Sequence, residues 1–125
     1  MRLNQLILFA LAGTTWSVRA ADADNQYAIW GPGESSCNAY NQARAADDAG
    51  KFKSYTMGYL TAYNTFVPDT YSITHSMDID AVIAWLDGYC QKNQIETFES
   101  ALHQLIEEMK EQRQKTSPAN AARWP

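Results

Sequence analysis

Histidine and cysteine are scarce in this chain, with two of each in 125 residues, and basic side chains are outnumbered, ten Lys and Arg against fourteen Asp and Glu. Each shortage excludes a class of chemistry. His75, His103, Cys37 and Cys90 do not fall into any zinc or haem spacing, so no metal and no other cofactor is expected. There is no Gly-x-Ser-x-Gly elbow for a hydrolase nucleophile and no glycine loop to cradle phosphate. An acidic chain makes a poor partner for nucleic acid, whose recognition depends on Lys and Arg neutralising phosphates. No apolar run approaches the roughly 20 residues that span a bilayer.

What is present begins with a short apolar segment, Leu6 to Gly13, behind the positive start Met1-Arg2. Small residues follow in two cleavage frames, Val18-Arg19-Ala20 and Ala21-Asp22-Ala23. The pattern predicts a cleaved secretory signal over residues 1–20, a single helical domain over 21–115 and a flexible tail over 116–125 that contains Trp124. Cutting after Ala20 removes Arg2 and Arg19, leaving eight cations against fourteen acids and a net charge of −6. The expected location is the periplasm, or outside the cell, with no membrane insertion of the mature chain.

Export places Cys37 and Cys90 in an oxidising compartment, where they are expected to pair. In the chain-entropy picture, closing that loop stabilises by roughly 4 kcal/mol, a large share of the total for a domain of this size.

Helical periodicity dominates the rest, and the fold class expected is all-α: four helices, one disulfide and a long loop between the second and third. The arm over 21–33 ends in Gly31-Pro32-Gly33, and Tyr27, Ile29 and Trp30 are expected to pin it to the core. Ser35 or Ser36 caps a first helix that stops near Ala49-Gly50. A second helix covers about 51–65 with the stripe Phe52, Tyr55, Tyr59, Tyr63 and Phe66 facing the core. Thr56, Gly58 and Ala62 place small residues elsewhere on its cylinder, where another helix has room to approach. Ser76 or Asp78 caps a third helix, whose inner face carries Ile79, Val82, Ile83, Leu86, Tyr89 and Cys90. Asn93 and Glu96 read as a capping box for a fourth helix running to about Arg113, with Phe98, Ala101, Leu102, Leu105, Ile106 and Met109 inside. Its outer face is expected to hold Glu99, Glu107, Glu108, Lys110 and Glu111.

Candidate catalytic groups are few. His75 stands among Ser72, Thr74 and Ser76, a cluster common in polar loops, and His103 reads as a half-buried helix residue. Asp47, Asp48, Glu96 and Glu99 have ordinary explanations as helix-end or surface charges. Binding is the better expectation. The loop Val67 to Met77 displays Val67, Tyr71, Ile73, His75 and Met77 between helices positioned by the disulfide, and Trp85 sits at the edge of the third helix. The competing expectation is a connector whose Tyr71 and Ile73 fold back on the core.

Tyr89-Cys90-Gln91-Lys92-Asn93, followed by Thr97-Phe98 and Ala101-Leu102, resembles the HdeA/HdeB family of small periplasmic acid-stress chaperones. Met57-Gly58-Tyr59-Leu60-Thr61-Ala62-Tyr63 resembles the Gly-Tyr helix of Tai-type immunity proteins, which neutralise secreted cell-wall amidases. The long 67–77 loop and the aromatic second helix depart from the chaperone pattern. The function expected is a non-enzymatic periplasmic protein that binds another protein, as an immunity, inhibitor or adaptor protein. An acid-activated holdase is the alternative and a small hydrolase the weakest one. The resemblance to the chaperones implies that acid reverses the charge from −6 to about +10 and bares apolar surface. Expected partners are an envelope or secreted protein, unfolded clients at low pH, or a second copy of the chain.

Overall fold

The computed structural model describes residues 21–119. The expected signal segment, with its first cleavage frame, and the end of the tail with Trp124 lie outside the described residues. Within them the chain is all-helical, with helices α1 Cys37–Ala45, α2 Gly50–Phe66, α3 Ile79–Lys92 and α4 Phe98–Met109. Single 3-10 turns at Gly31–Glu34 and Lys110–Gln112 precede α1 and follow α4. No strand occurs among the described residues, only two isolated bridges.

Three helices start where a short polar side chain accepts a free backbone N–H. Ser36 Oγ accepts from Ala39 N at 3.1 Å, Asp78 Oδ1 from Ala81 N at 2.8 Å, and Thr97 Oγ1 from Ser100 N at 3.1 Å. Thr97 therefore caps α4, and the Asn93–Glu96 box does not form. Asn93 instead closes α3, its side-chain amide donating to the Tyr89 carbonyl, while Glu96 accepts the Tyr89 hydroxyl. α1 also stops earlier than the glycine suggests. Asp47 takes the left-handed conformation (φ 53°), Asp47 N donates to Arg44 O and Asp48 N to Ala43 O, which is a Schellman closure with aspartate in the usual glycine position. Gly50 becomes the first residue of α2.

The disulfide Cys37–Cys90 joins the start of α1 to the end of α3, with Cα atoms 4.8 Å apart. Around it, Cys37 N donates to Glu96 O at 2.7 Å, Asn38 N to Gln94 O at 2.9 Å and Phe98 N to Ser35 O at 2.8 Å. The first donors of α1 and α4, which have no intrahelical acceptor, are thus satisfied by the facing backbone.

The core is an aromatic trio contributed by three helices: Tyr40 (α1), Phe52 (α2) and Phe98 (α4), with ring centroids 4.8–5.2 Å apart. Val82, Leu86, Leu102 and Leu105 complete it. On α2 the buried line is Phe52, Thr56 and Leu60, one position off the aromatic stripe. Tyr55, Tyr59 and Tyr63 flank that line half-buried, and Phe66 is 83% exposed. Gly33 lies under Tyr55, and a Cβ added there would clash with the Tyr55 ring end and an Ile29 methyl, so any larger residue must push those side chains aside. Trp30 is 79% exposed and does not anchor the arm.

Because Phe98 touches both other rings of the trio, Phe98→Ala should cost about 3–5 kcal/mol. Phe66→Ala should lie within about 0.5 kcal/mol of wild type. Urea denaturation of the two variants checks the difference.

Candidate functional site

The structure divides the residues expected to meet a partner. Ile73 is fully buried and its N–H donates to Asn64 Oδ1 at 2.8 Å. Met77 packs half-buried against the core. These two leave the set of presented side chains, because the loop folds inward between α2 and α3. It is held there by Gln114, whose carbonyl accepts from Tyr71 N and Ser72 N, and by Arg113, whose guanidinium donates to Asp69 O and Thr70 Oγ1. Tyr71 and His75 remain exposed and Val67 half-buried, with His75 in a left-handed conformation (φ 53°). Trp85 belongs to a separate groove on α3.

Hydrolytic geometry does not assemble around His75. The Thr74 hydroxyl donates to Met77 O, and no hydrogen bond joins the imidazole to Ser72 or Ser76 among the described residues. His103 is exposed rather than half-buried. No group of three His, Cys, Asp or Glu side chains suited to a metal ion occurs among the described residues.

Glu99 departs most from expectation. It is 4% exposed, not on the outer face, and its carboxylate accepts the Tyr27 hydroxyl at 3.1 Å and the Tyr59 hydroxyl at 2.9 Å. The ion pairs among the described residues do not include it. Burial first, and then the neighbouring carboxylate, raise Tyr27, Tyr55 and Tyr59 above the ordinary phenol value, so all three hydroxyls stay protonated and those of Tyr27 and Tyr59 donate to Glu99. The cluster ties the arm and α2 to α4. A sequence signal existed: Glu99 precedes Leu102 by three positions and Ile106 by seven, which places it on the apolar stripe.

A second polar cluster clasps α1 to α3. Arg44 grips Asp87 with two hydrogen bonds at 2.8 and 2.7 Å, and the Tyr40 hydroxyl donates to the same carboxylate at 2.6 Å. Desolvation pushes Asp87 up, but Arg44 and Tyr40 together outweigh it and hold the group below the ordinary carboxylate value. The clasp walls a cleft of about 490 Å³ completed by Gly50, Lys53, Asp80 and Ile83. The Lys53–Asp80 pair on its far side is largely solvated and adds little.

The remaining feature is the outer face of α2. Ser54, Met57, Gly58, Thr61, Ala62, Thr65 and Phe66 are all exposed, and none is charged. The small residues that seemed placed for a passing helix are thus split. Thr56 is buried in the core, whereas Gly58 and Ala62 are uncovered, and a Cβ added to Gly58 would meet nothing within 4 Å. The hydroxyls of Thr61 and Thr65 donate back to Met57 O and Thr61 O at 2.7 and 2.8 Å. Covering this face would therefore strand neither hydroxyl.

No family model, no curated protein and no solved structure matches this chain. Among the described residues, no helix is long and apolar enough to cross a membrane. The functional argument therefore rests on the surface itself, and a helix face that carries no charge after Lys51 is unusual for one turned toward water.

Two outcomes test the polar clusters. Glu99→Ala leaves the Tyr27 and Tyr59 hydroxyls without their acceptor; it should cost roughly 1–3 kcal/mol and speed proteolytic cleavage within the arm 21–30. For Asp87, the folded state holds the proton less tightly than the unfolded chain. Its stabilisation is therefore complete above the unfolded value of about 3.9 and disappears as pH falls through the lower folded value. Asp87→Asn should accordingly lose less stability than wild type between about pH 5 and pH 2, measured by urea midpoints.

Proposed function

We propose that this chain is an exported, non-enzymatic protein that binds another protein.

 The surface is the outer face of α2, and Tyr71 and His75 follow it in the loop after the helix. The observation that carries this reading is the complete lack of charge at the exposed positions of residues 54–66 on a chain with fourteen acidic residues. Met57 and Phe66 supply apolar side chains, and Gly58 and Ala62 let a partner's backbone come close. Such a face suits a helix or flat apolar surface on the partner, with the exposed side chains of the following loop adding specificity.

The test replaces neutrality with charge where the fold has room. Gly58→Lys and Thr61→Lys should leave the melting temperature within about 3 °C of wild type. A photo-crosslinker at Met57, in periplasmic extract, should capture one dominant partner, and the lysine variants should weaken binding to that purified partner at least about ten-fold. Partner binding that survives both lysines removes α2 from the reading.

A second reading, the acid-activated holdase, is favoured by one observation: the clasp between α1 and α3 is built on the Asp87 carboxylate, which strong acid would neutralise. Light scattering of an aggregating client at about pH 2–3, below the carboxylate range, separates the two. Undiminished aggregation with the protein present eliminates the holdase.

A further inference from the structure

The outer face of α2 differs from one end to the other. Lys51, Ser54, Gly58, Thr61, Ala62 and Thr65 recur at three- and four-residue steps, so they share one exposed side. Met57 and Phe66, half a revolution apart, border that side on its two edges, 46% and 83% exposed. The cation Lys51 stands in the first turn and the anion Asp69 just past the last. Both are exposed, and neither forms an ion pair among the described residues. Of the charges close by, Asp47 and Lys53 line the cleft towards α3, and Arg113 donates to the Asp69 and Lys110 carbonyls.

Resting on the reading of α2 as a binding face, we infer that its partner is a second copy of this chain, packed antiparallel about a two-fold axis at the level of Leu60. Such an interface uses the same patch twice, so the patch must complement itself. This one does. Lys51 and Asp69 are equally far along the chain from Leu60, so each Lys51 comes level with the partner's Asp69. Each Phe66 comes level with the partner's Ser54, a large ring against a small side chain, and Gly58 with the partner's Ala62. The positive end of each helix also lies beside the negative end of the other. A parallel pairing would instead set Lys51 on Lys51 and Phe66 on Phe66. Charge selects the face too, because a chain with ten cations and fourteen acids repels its copies least where a surface bears no acid. From Lys51 to Phe66 the face is about 23 Å long and one helix wide, less than the roughly 1,200 Å² of a tight complex, which places the pairing in the micromolar range.

Sedimentation equilibrium of the full mature chain, from about 1 to 500 µM, reads the pairing. The expected result is a reversible monomer–dimer equilibrium. Gly58→Lys sets two ammonium groups face to face where a Cβ has open space, and it should abolish the dimer while the melting temperature holds. Lys51→Glu should weaken pairing about five-fold. Asp69→Asn in that background should recover most of the loss, since asparagine accepts the left-handed backbone of position 69 (φ 52°). Within one copy the two positions stand more than about 20 Å apart, over twice the screening length at physiological salt, so one substitution corrects the other only across two copies. A chain that stays monomeric to the top of the range overturns the inference. The reading of α2 as a binding face survives that result if the crosslinker at Met57 captures a different protein, and falls with it if nothing is captured. A dimer that Gly58→Lys leaves intact, or a Lys51→Glu loss that Asp69→Asn does not correct, overturns the antiparallel α2 pairing.

Discussion

The antiparallel register of α1 and α3 is the constraint on which the rest of the structure depends. The Cys37–Cys90 bond pins one end of the pair, and one turn along, Tyr40 and Arg44 reach back to Asp87. With those elements aligned, the α3–α4 turn lies against the start of α1, where its carbonyls receive the N–H groups that no helix can satisfy by itself. α4 then begins beside α1, and Phe98 arrives between Tyr40 and Phe52. A covalent bond, a charged clasp and three backbone hydrogen bonds all specify one arrangement, and this agreement across levels is what makes a small core select a single fold.

The polar groups inside that arrangement are satisfied with care. No buried side-chain nitrogen or oxygen among the described residues lacks a hydrogen-bond partner. Glu99 is the costliest of them, since a carboxylate removed from water needs compensation. Its compensation comes from tyrosine hydroxyls rather than from a cation, which ties the arm to the helices by directional bonds. The same solution recurs on the other side of the core, where Tyr40 adds its hydroxyl to Asp87. Tyrosine suits this work because its ring joins the apolar layer while its hydroxyl reaches the carboxylate.

α2 shows how packing and function divide one helix. Its inner line, Phe52, Thr56 and Leu60, is consumed by the core, and Tyr59 beside that line serves the Glu99 cluster. The opposite face carries no charge after Lys51 and is left uncovered by the described residues. The groove beside Trp85 lies on a different helix and has a different character, with Lys92 and Glu108 at its rim.

Four helices were legible in the sequence because their periodicity is local, and the disulfide because only one pairing of two cysteines exists within the chain. The end of α1 was not, since aspartate and glycine can both take the left-handed closing position and only the backbone shows that Asp47 does so. Nor was the fate of the loop, which depends on Asn64 and Gln114 reaching it from either side. Glu99 depends on Tyr27, 72 positions away, and Tyr59, 40 positions away. The sequence by itself determined which segments are helical and which two sulfurs join, because those follow from short-range spacing and simple counting. Tertiary structure alone decided which carboxylate is buried and which face of α2 meets water, because burial is a property of the neighbours that distant parts of the chain bring.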